Sequence, residues 1–211
     1  MDGPPNRDRR TQLTAAAVDL LETQGPDTMT ARKVTAQVGT SRMAIYTDFG
    51  SMGGLVASVV DHGFTLLLRE LEPKQFTGEH LADIWTIAQI QRDFALTHRH
   101  LYAVMFAAET VGGYQRSGHD LEQGIETLRF LHRHCRAAVE AGDLTVDEPR
   151  TATRQLWISI HGHLMLELAG YMDTEPEPVR SFAQTVATVM IGLGADQTSA
   201  RDAVDAGRHS M

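Results

Sequence analysis

The feature that most constrains the fold of this chain is the three-to-four-residue spacing of its apolar side chains. This spacing recurs in separate segments from Asp8 to about residue 194, and it is typical of helices that bury one face. Strand-type alternation is not evident in any segment. The segments are separated by breaks rich in glycine, proline and polar residues, namely GP at 25–26, PKQFTG, VGGYQRSGHD, AGDLTVD and DTEPEP. The sequence therefore predicts an all-α protein.

The breaks divide the chain into a three-helix head, a long connecting helix and a helical body. The head helices are predicted to begin near Asp8, Thr30 and Arg42. Gly39 is placed to end the second helix in a left-handed conformation, and Ser51 to cap the long fourth helix. In the body we predict helices near 79–96, 98–109, 120–141, 149–171 and 176–194.

The composition excludes several classes of protein. With 211 residues, of which 42% are apolar and 22% charged, the chain can bury a core typical of a soluble globular protein. No window approaches 18 uninterrupted apolar residues, and the N-terminal MDGPPNRDRR lacks the pattern of a secretory signal. The single cysteine, Cys135, cannot form an internal disulfide. We therefore expect a protein of the reducing cytoplasm with no membrane partner.

The formal net charge of −8 is unevenly distributed along the chain. Residues 1–60 hold six Lys and Arg against six Asp and Glu, whereas the remaining 151 residues hold 13 against 21. The head is thus neutral and the body carries all of the negative charge. This asymmetry is expected of a nucleic-acid-binding head attached to an acidic body.

The segment GTSRMAIYTDFGS, residues 39–51, has the pattern of the turn and second helix of a helix-turn-helix. On the predicted exposed face, Arg42 can donate to guanine or to a phosphate, and Met43 and Ala44 can contact thymine methyl groups. Hydroxyl groups nearby suit phosphate oxygens. The predicted DNA-binding residues are Arg32, Lys33, Thr40, Ser41, Arg42, Met43, Ala44, Tyr46 and Thr47. The alternative is a small helical bundle that merely exposes an arginine and a tyrosine.

Apolar residues elsewhere in the head can form its core, namely Leu13, Ala17, Leu20, Val34, Val38, Ile45 and Phe49. Residues 11–55 resemble the N-terminal domain of the TetR family of bacterial transcriptional repressors. The residues that carry the resemblance are Ala16, Ala17, Leu20, Gly25, Thr28 or Thr30, Gly39, Thr40, Ser41, Ile45, Tyr46, Phe49 and Leu55. The resemblance implies a regulator that presents two heads to DNA half-sites about one helical turn apart.

Two positions depart from the family pattern. Asp48 stands where the family usually has His, and Met52 where it usually has Lys. Both family residues commonly hold phosphates, so their loss predicts a flatter salt dependence of DNA binding. Asp48 would either repel the DNA backbone or turn back to cap the fourth helix. More of the attraction is then expected from Arg32, Lys33, Arg42 and the basic arm of Arg7, Arg9 and Arg10.

In the body, LWISIHGHLMLELAG (156–170) resembles the W-x-x-x-H-G signature of a TetR C-terminal subgroup, the WHG subgroup. Gly162 of this signature would allow another helix to approach closely. Trp157, His161, Leu164 and Leu168 share one helical face, which is either core or the lining of a ligand cavity. For the cavity, the predicted ligand-binding residues are Phe94, His98, Tyr102, Met105, Phe106, Phe130, Trp157 and His161, with Glu109 as a further polar anchor. The segment VGGYQRSGHD is either a portal to this cavity or a plain solvent loop.

The last predicted helix carries apolar residues at near-heptad spacing. With the Trp157 helix it can form a dimer surface in which each subunit contributes two helices to a four-helix bundle. The last two long helices commonly serve this role in the TetR family. Burial of these residues within one subunit is the alternative. The predicted dimer-interface residues are Leu164, Leu168, Phe182, Val186, Val189, Met190 and Leu193.

Neither catalysis nor a bound metal or other cofactor is predicted. The sequence has no Gly-rich phosphate loop, nucleophile elbow or convincing pair of carboxylates. Cys135 lies on a charged helix, which favours surface exposure over catalysis. The His-x-His pairs cannot chelate one ion on a helix because their side chains diverge by about 200°. These pairs are His98/His100, His132/His134 and His161/His163, and His132 with Cys135 lacks a third ligand.

The sequence therefore predicts a TetR-type transcriptional repressor that acts as a homodimer on a double-stranded DNA operator and is controlled by a small-molecule effector. The predicted organisation is a flexible arm over 1–7, a helix-turn-helix DNA-binding domain over 8–54, a helical ligand-binding and dimerisation domain over 55–195 and a flexible tail over 196–211. The alternative is a helical dimeric interaction module controlled by a partner protein, with weakened or lost DNA binding. Asp48 and Met52 favour that alternative.

Overall fold

The computed structural model of the protein describes residues 6–72, 76–106, 114, 118–172 and 178–206, with the backbone alone at 6, 7 and 118–123. These residues form α-helices without any strand, which confirms the predicted all-α class. The helices are α1 (Asn6–Gln24), α2 (Ala31–Val38), α3 (Met43–Phe49), α4 (Met52–Leu71), α5 (His80–Thr97), α6 (Arg99–Phe106), α7 (Gly118–Ala141), α8 (Pro149–Leu168), α9 (Pro178–Gly192) and α10 (Gln197–Ala206). A short 3-10 turn, Pro26–Thr28, follows α1.

The chain forms two compact units. The first comprises Met1–Leu67 and Thr97–Gly124, and the second comprises Leu68–Leu96 and Ile125–Met211. The first unit therefore holds α1, α2, α3 and α6 together with most of α4. The second holds α5, α8, α9, α10 and most of α7.

Local sequence explains where the helices of the head begin and end. The Thr30 hydroxyl caps α2 by accepting from the Lys33 backbone N–H. Gly39 takes the left-handed conformation, with φ of 72°, and closes α2 as predicted. The Ser51 hydroxyl accepts from the Gly54 N–H at 3.0 Å, which confirms it as the cap of α4.

Helix α6 packs against two helices of the head within the first unit. The Glu22 carboxylate on α1 accepts from the Leu101 backbone N–H at 2.8 Å, near the start of α6. Gly63 on α4 allows close approach, since a Cβ added there would lie 2.5 Å from the Met105 sulfur. The Phe106 ring also lies edge-on to the Phe64 ring, with centroids 5.6 Å apart. These contacts join α6 to both α1 and α4.

In the second unit a buried ion pair joins helices α5 and α8. Arg92 Nε lies 3.0 Å from Glu167 Oε2, and Arg92 Nη2 lies 2.5 Å from Glu167 Oε1. The Arg92 guanidinium also lies 5.9 Å from the centre of the Phe182 ring on α9. Trp85 and Phe182 are buried beside one another in the apolar core of this unit.

The tail predicted to be flexible over 196–211 instead contains α10, which packs against α9. Ala200, Ala203 and Val204 lie on one helical face and are buried. Asp196 accepts from the Ser199 N–H at 2.9 Å and stabilises the first turn. The prediction was wrong because the tail is polar overall, so the three apolar residues of this face did not stand out in its composition. At the other end, α1 begins at Asn6, inside the predicted arm, and residues 1–5 lie outside the described residues.

Among the described residues, no single helix is both long and apolar enough to cross a membrane. Helices α3 and α4 reach that length and composition only as a pair, and they are bent by 63° at the break between them.

Candidate nucleic-acid interface and effector site

Helix α3 presents one exposed face, formed by Arg42 at its start and by Met43, Tyr46 and Thr47. Met43 is 67% exposed and Tyr46 is 52% exposed, which is high for large side chains with much apolar surface. Such a face on a helix-turn-helix is available to DNA. All four are among the predicted DNA-binding residues.

The other predicted DNA-binding residues differ in exposure. Arg32 and Ser41 are exposed, while Lys33 and Thr40 are half-buried. The Lys33 ammonium donates to Gln24 Oε1 at 3.2 Å. Ala44 is buried, at 6% exposure, so the predicted contact of its methyl group with thymine was wrong. Ala44 lies about 200° around the helix from both Arg42 and Tyr46, which turns it into the head.

Asp48 neither faces the DNA-binding surface nor caps α4, contrary to both expectations. It is buried and accepts from Arg9 on α1, whose Nε and Nη2 atoms each lie 2.6 Å from a carboxylate oxygen. Arg10 donates to the Asp48 backbone carbonyl, and its guanidinium lies 4.4 Å from the centre of the Phe49 ring. The hydrogen bonds from Arg9 hold the pKa of Asp48 below its usual value.

These contacts change which cations the head can offer to DNA. Arg9 and Arg10 were expected to attract the phosphate backbone, but both are engaged with the end of α3. The side chain of Arg7 lies outside the described residues. The pairing joins residues 39 positions apart, so no local spacing could have indicated it.

The predicted ligand-binding residues fall in both units. His98, Tyr102, Met105 and Phe106 belong to the first unit. Tyr102 and Met105 are fully buried there, and the rings of Tyr102 and Phe106 lie 4.7 Å apart. Glu109 lies outside the described residues, as does all of the predicted portal segment except Tyr114 and the backbone of 118–120.

The second unit holds Phe94, Phe130, Trp157 and His161. Phe94 and Phe130 are buried. Trp157 and His161 are half-buried and stacked, with ring centroids 5.4 Å apart and planes at 6°. Trp157 also lines a groove of about 680 Å³ between α7 and α8. The assignment of these residues to an effector stays a prediction.

Most of the predicted dimer-interface residues lie in the interior of the subunit. Leu164, Phe182, Val186 and Met190 are fully buried, Leu193 is 5% exposed, and Leu168 and Val189 are half-buried. Burial within the subunit favours the alternative that these five residues belong to the core, and their assignment to a dimer interface stays a prediction. Their near-heptad spacing reflects the packing of α9 against α8 and α10.

A different face of α8 is both apolar and exposed. Ile158 is 55% exposed and Leu166 is 46% exposed, and Gly162 lies between them at four-residue steps. Apart from the adjoining backbone of α8 itself, no atom of the described residues lies within 4 Å of a Cβ added at Gly162. The predicted close approach to Gly162 therefore does not come from another helix among the described residues.

Cys135 is buried, contrary to the expectation that it lies on the surface. Burial raises the pKa of its thiol to about 11, which disfavours the thiolate. Its neighbour His132 bonds instead to the Thr153 hydroxyl, with Nδ1 and Oγ1 2.9 Å apart. Within the described ranges, no three His, Cys, Asp or Glu residues are grouped so that they could hold a metal ion.

Comparison with known families matches both parts of the chain. Residues 13–59 match the model described as bacterial regulatory proteins, tetR family. Residues 84–189, half of the chain, match the model described as tetracyclin repressor-like, C-terminal domain. No relative is found among curated proteins.

Solved structures share the fold at low sequence identity. A protein of unknown function from Rhodococcus sp. RHA1 is 24% identical, with a TM-score of 0.71 over 90% of this chain and 96% of that one. RolR in complex with resorcinol is 15% identical, with a TM-score of 0.70 over 94% of each chain. A gamma-butyrolactone receptor, described as an ArpA-like protein, is 14% identical, with a TM-score of 0.61 over 98% of this chain and all of that one.

Proposed function

The chain belongs to the TetR family of bacterial regulators, which bind DNA and are not enzymes, and on this premise we propose that it is a cytoplasmic repressor. It binds an operator as a homodimer, and a small-molecule effector controls that binding. The observation that carries the proposal is the exposed face of α3, where Arg42, Met43 and Tyr46 lie together on a neutral head.

The proposed readout follows from the chemistry of that face. Arg42 donates to a guanine edge or to a phosphate, and Met43 packs on thymine methyl groups. Tyr46 and Thr47 donate to phosphate oxygens and set the register of the helix in the groove. With Arg9 and Arg10 engaged with the end of α3, Arg32 and Lys33 supply most of the remaining attraction to phosphates.

The proposed dimer forms through the exposed part of α8 around Gly162 and Leu166. A helix of a second subunit can approach closely where Gly162 lacks a side chain. Two-fold symmetry then presents both heads to one operator. The stacked Trp157 and His161, which resemble part of the WHG signature, lie on the same helix.

The proposed effector acts on the head through α6. This helix carries the predicted ligand-binding residues Tyr102, Met105 and Phe106, and it packs against α1 and α4 in the first unit. A shift of α6 therefore moves the helices that position α3. RolR binds resorcinol and another neighbour is a gamma-butyrolactone receptor, which supports a small-molecule effector without identifying it.

The test is binding of the purified protein to its own upstream DNA, compared with unrelated DNA, across a salt series. We expect Arg42→Ala to weaken specific binding by about 5- to 150-fold, the equivalent of about 1–3 kcal/mol. Arg136→Ala is the matched control, because Arg136 is exposed on α7 and belongs to the second unit. Equal binding to both DNAs by the unmodified protein would contradict the proposal and favour an interaction module with lost DNA binding.

A further inference from the structure

The groove between α7 and α8 has mainly apolar walls that are open to solvent. Ile125 and Leu128 line it from α7, and Trp157 and Ile158 line it from α8. Ile125 and Ile158 are exposed, and Leu128 and Trp157 are half-buried. A volume of about 680 Å³ is within the range of sites that bind small molecules. An aliphatic or aromatic ligand would therefore bury apolar surface on both sides.

The same groove carries a concentration of positive charge. Arg129, Arg150 and Arg154 line it, and none of the described side chains that line it is acidic. Arg129 forms an ion pair with Glu126. Arg150 and Arg154 are exposed and have no acidic partner within the described part of the chain. The groove is therefore locally positive, although the chain as a whole has a formal net charge of −8.

The positions of these two arginines suit a shared anion. They are four residues apart on α8, so their side chains project from the same face. The next turn of that face carries Ile158. Arg150 also lies in the first turn of α8, where the helix dipole disfavours a cation and favours an anion. The two guanidinium groups also repel each other, because they carry like charges four residues apart. An anion bound between them would offset both this repulsion and the unfavourable position of Arg150.

Two polar side chains that line the groove, His132 and Thr153, bond to each other. His132 Nδ1 and Thr153 Oγ1 lie 2.9 Å apart, and the Thr153 hydroxyl donates to the Pro149 carbonyl at 2.9 Å. The bonded atoms of these two side chains therefore do not need a hydrogen bond from the tail of a ligand. The groups of the groove that a polar ligand can pair with are Arg150 and Arg154.

The charge pattern favours an anionic ligand over a second copy of the chain. A two-fold contact centred on the groove, rather than on Gly162 and Leu166 further along α8, would bring Arg150 and Arg154 towards the same arginines of the partner. Like charges in that arrangement disfavour association. A ligand with an acidic head and an apolar tail complements both features of the groove.

We infer that this groove binds a small amphipathic carboxylate. Its carboxylate lies between Arg150 and Arg154, and its tail lies along Ile125, Leu128 and Ile158. This inference goes beyond the proposed effector contact on α6, and it rests on the proposed function only in taking the ligand of the groove to be an effector.

The test is isothermal titration of the full-length protein with decanoate below its micelle-forming concentration. Decanol and decyltrimethylammonium serve as neutral and cationic probes with the same tail. We expect decanoate to bind about tenfold more tightly than decanol, because its head forms charge-assisted hydrogen bonds. The cationic probe should bind more weakly than either. Hexanoate should bind more weakly than decanoate, by about two- to fourfold for each methylene lost from the groove.

Substitutions separate the head of the ligand from its tail. The double variant Arg150→Gln/Arg154→Gln should weaken decanoate binding to the level of decanol and leave decanol binding unchanged. Ile158→Ser should weaken both ligands. Arg136→Gln is the matched control on α7, because Arg136 is exposed and does not line the groove. Equal affinity for decanoate and decanol, or no effect of the double variant, overturns the inference. A double variant that changes the oligomeric state but not decanoate affinity would identify an interface between copies and also overturn it.

Operator binding measured in the same preparations distinguishes this inference from the proposed function. Specific operator binding without any decanoate binding overturns the ligand assignment alone. Decanoate binding that depends on Arg150 and Arg154, in a protein that does not recognise its operator, supports the groove and contradicts the repressor. Release of the operator by decanoate in the unmodified protein, but not in the double variant, supports both.

Discussion

Among single residues, Asp48 has the largest effect on how charge is distributed over the head. Its carboxylate is buried and receives two hydrogen bonds of 2.6 Å from Arg9. One cation is thereby withdrawn from the DNA-binding surface, and the end of α3 is attached to α1. Because each phosphate contact adds about 0.9 to the salt slope of binding, an engaged Arg9 contributes little to that slope.

Replacing Asp48 with Asn should release Arg9 and destabilise the head at neutral pH. The paired Arg9 holds the pKa of Asp48 below its usual value, so the stabilisation is present above about pH 4 and is lost as the pH falls through the lowered pKa. Urea unfolding should therefore show a stability difference between wild type and Asp48→Asn at pH 7 that shrinks towards pH 3. DNA binding should acquire a salt slope steeper by up to about one.

Arg9→Gln is the matched control for this prediction. It removes the same ion pair and leaves a buried carboxylate without its partner, so stability at pH 7 should fall. It supplies no free arginine, so the salt slope should not steepen. An unchanged slope in Asp48→Asn would mean that Arg9 does not reach DNA when it is released.

At the level of secondary-structure elements, α5 and α8 are joined by charge inside an apolar unit. Arg92 is 9% exposed and Glu167 is 8% exposed, and the two are 75 positions apart in the sequence. A buried ion pair adds little net stability over well-packed apolar residues, but removing one partner leaves an uncompensated buried charge. The pair therefore makes the association of α5 and α8 sensitive to single substitutions.

Glu167→Ala should lower the free energy of unfolding by about 3–5 kcal/mol, because Arg92 would remain buried without its counter-ion. The double variant Arg92→Met/Glu167→Leu should be close to neutral, since it removes both charges and keeps most of the volume. Glu140→Ala, which removes only an exposed pair with Arg136, should change stability by less than about 1 kcal/mol. Urea denaturation of the three variants checks this, and a neutral Glu167→Ala would show that the pair is not buried in solution.

For the whole molecule, the central question is which surface joins two subunits. The side chains of the near-heptad pattern on α9 are largely committed to the interior of one subunit. The exposed part of α8 around Gly162 and Leu166 is therefore the surface proposed for the dimer. Burial of exposed apolar side chains provides the main driving force for such association.

Leu166→Lys should shift the protein from dimer to monomer by placing a charge in the proposed apolar contact. Sedimentation across a concentration series measures this shift, and operator affinity should fall with it because two linked heads bind more tightly than one. Met43→Lys is the matched control, since it places the same charge at an exposed apolar residue on the head. It should leave the dimer intact. A dimer that survives Leu166→Lys would exclude this face as the interface.

Local sequence patterns predicted much of the fold and part of the site. The spacing of apolar residues placed the helices, and Gly39 and Ser51 ended and capped them as expected. Arg42, Met43 and Tyr46 were predicted on one face and are exposed together. These predictions succeeded because helical periodicity, capping and turn conformations depend on residues only a few positions apart.

Only the tertiary structure decided which helical faces meet and which charges pair. It turned Ala44 into the head, placed α9 side chains inside the subunit and folded α10 from a polar tail. It also brought Arg9 to Asp48 and Arg92 to Glu167. The sequence by itself determined the helices, because their hydrogen bonds are local. Local sequence patterns do not determine these contacts, because each contact depends on packing between residues far apart in the chain.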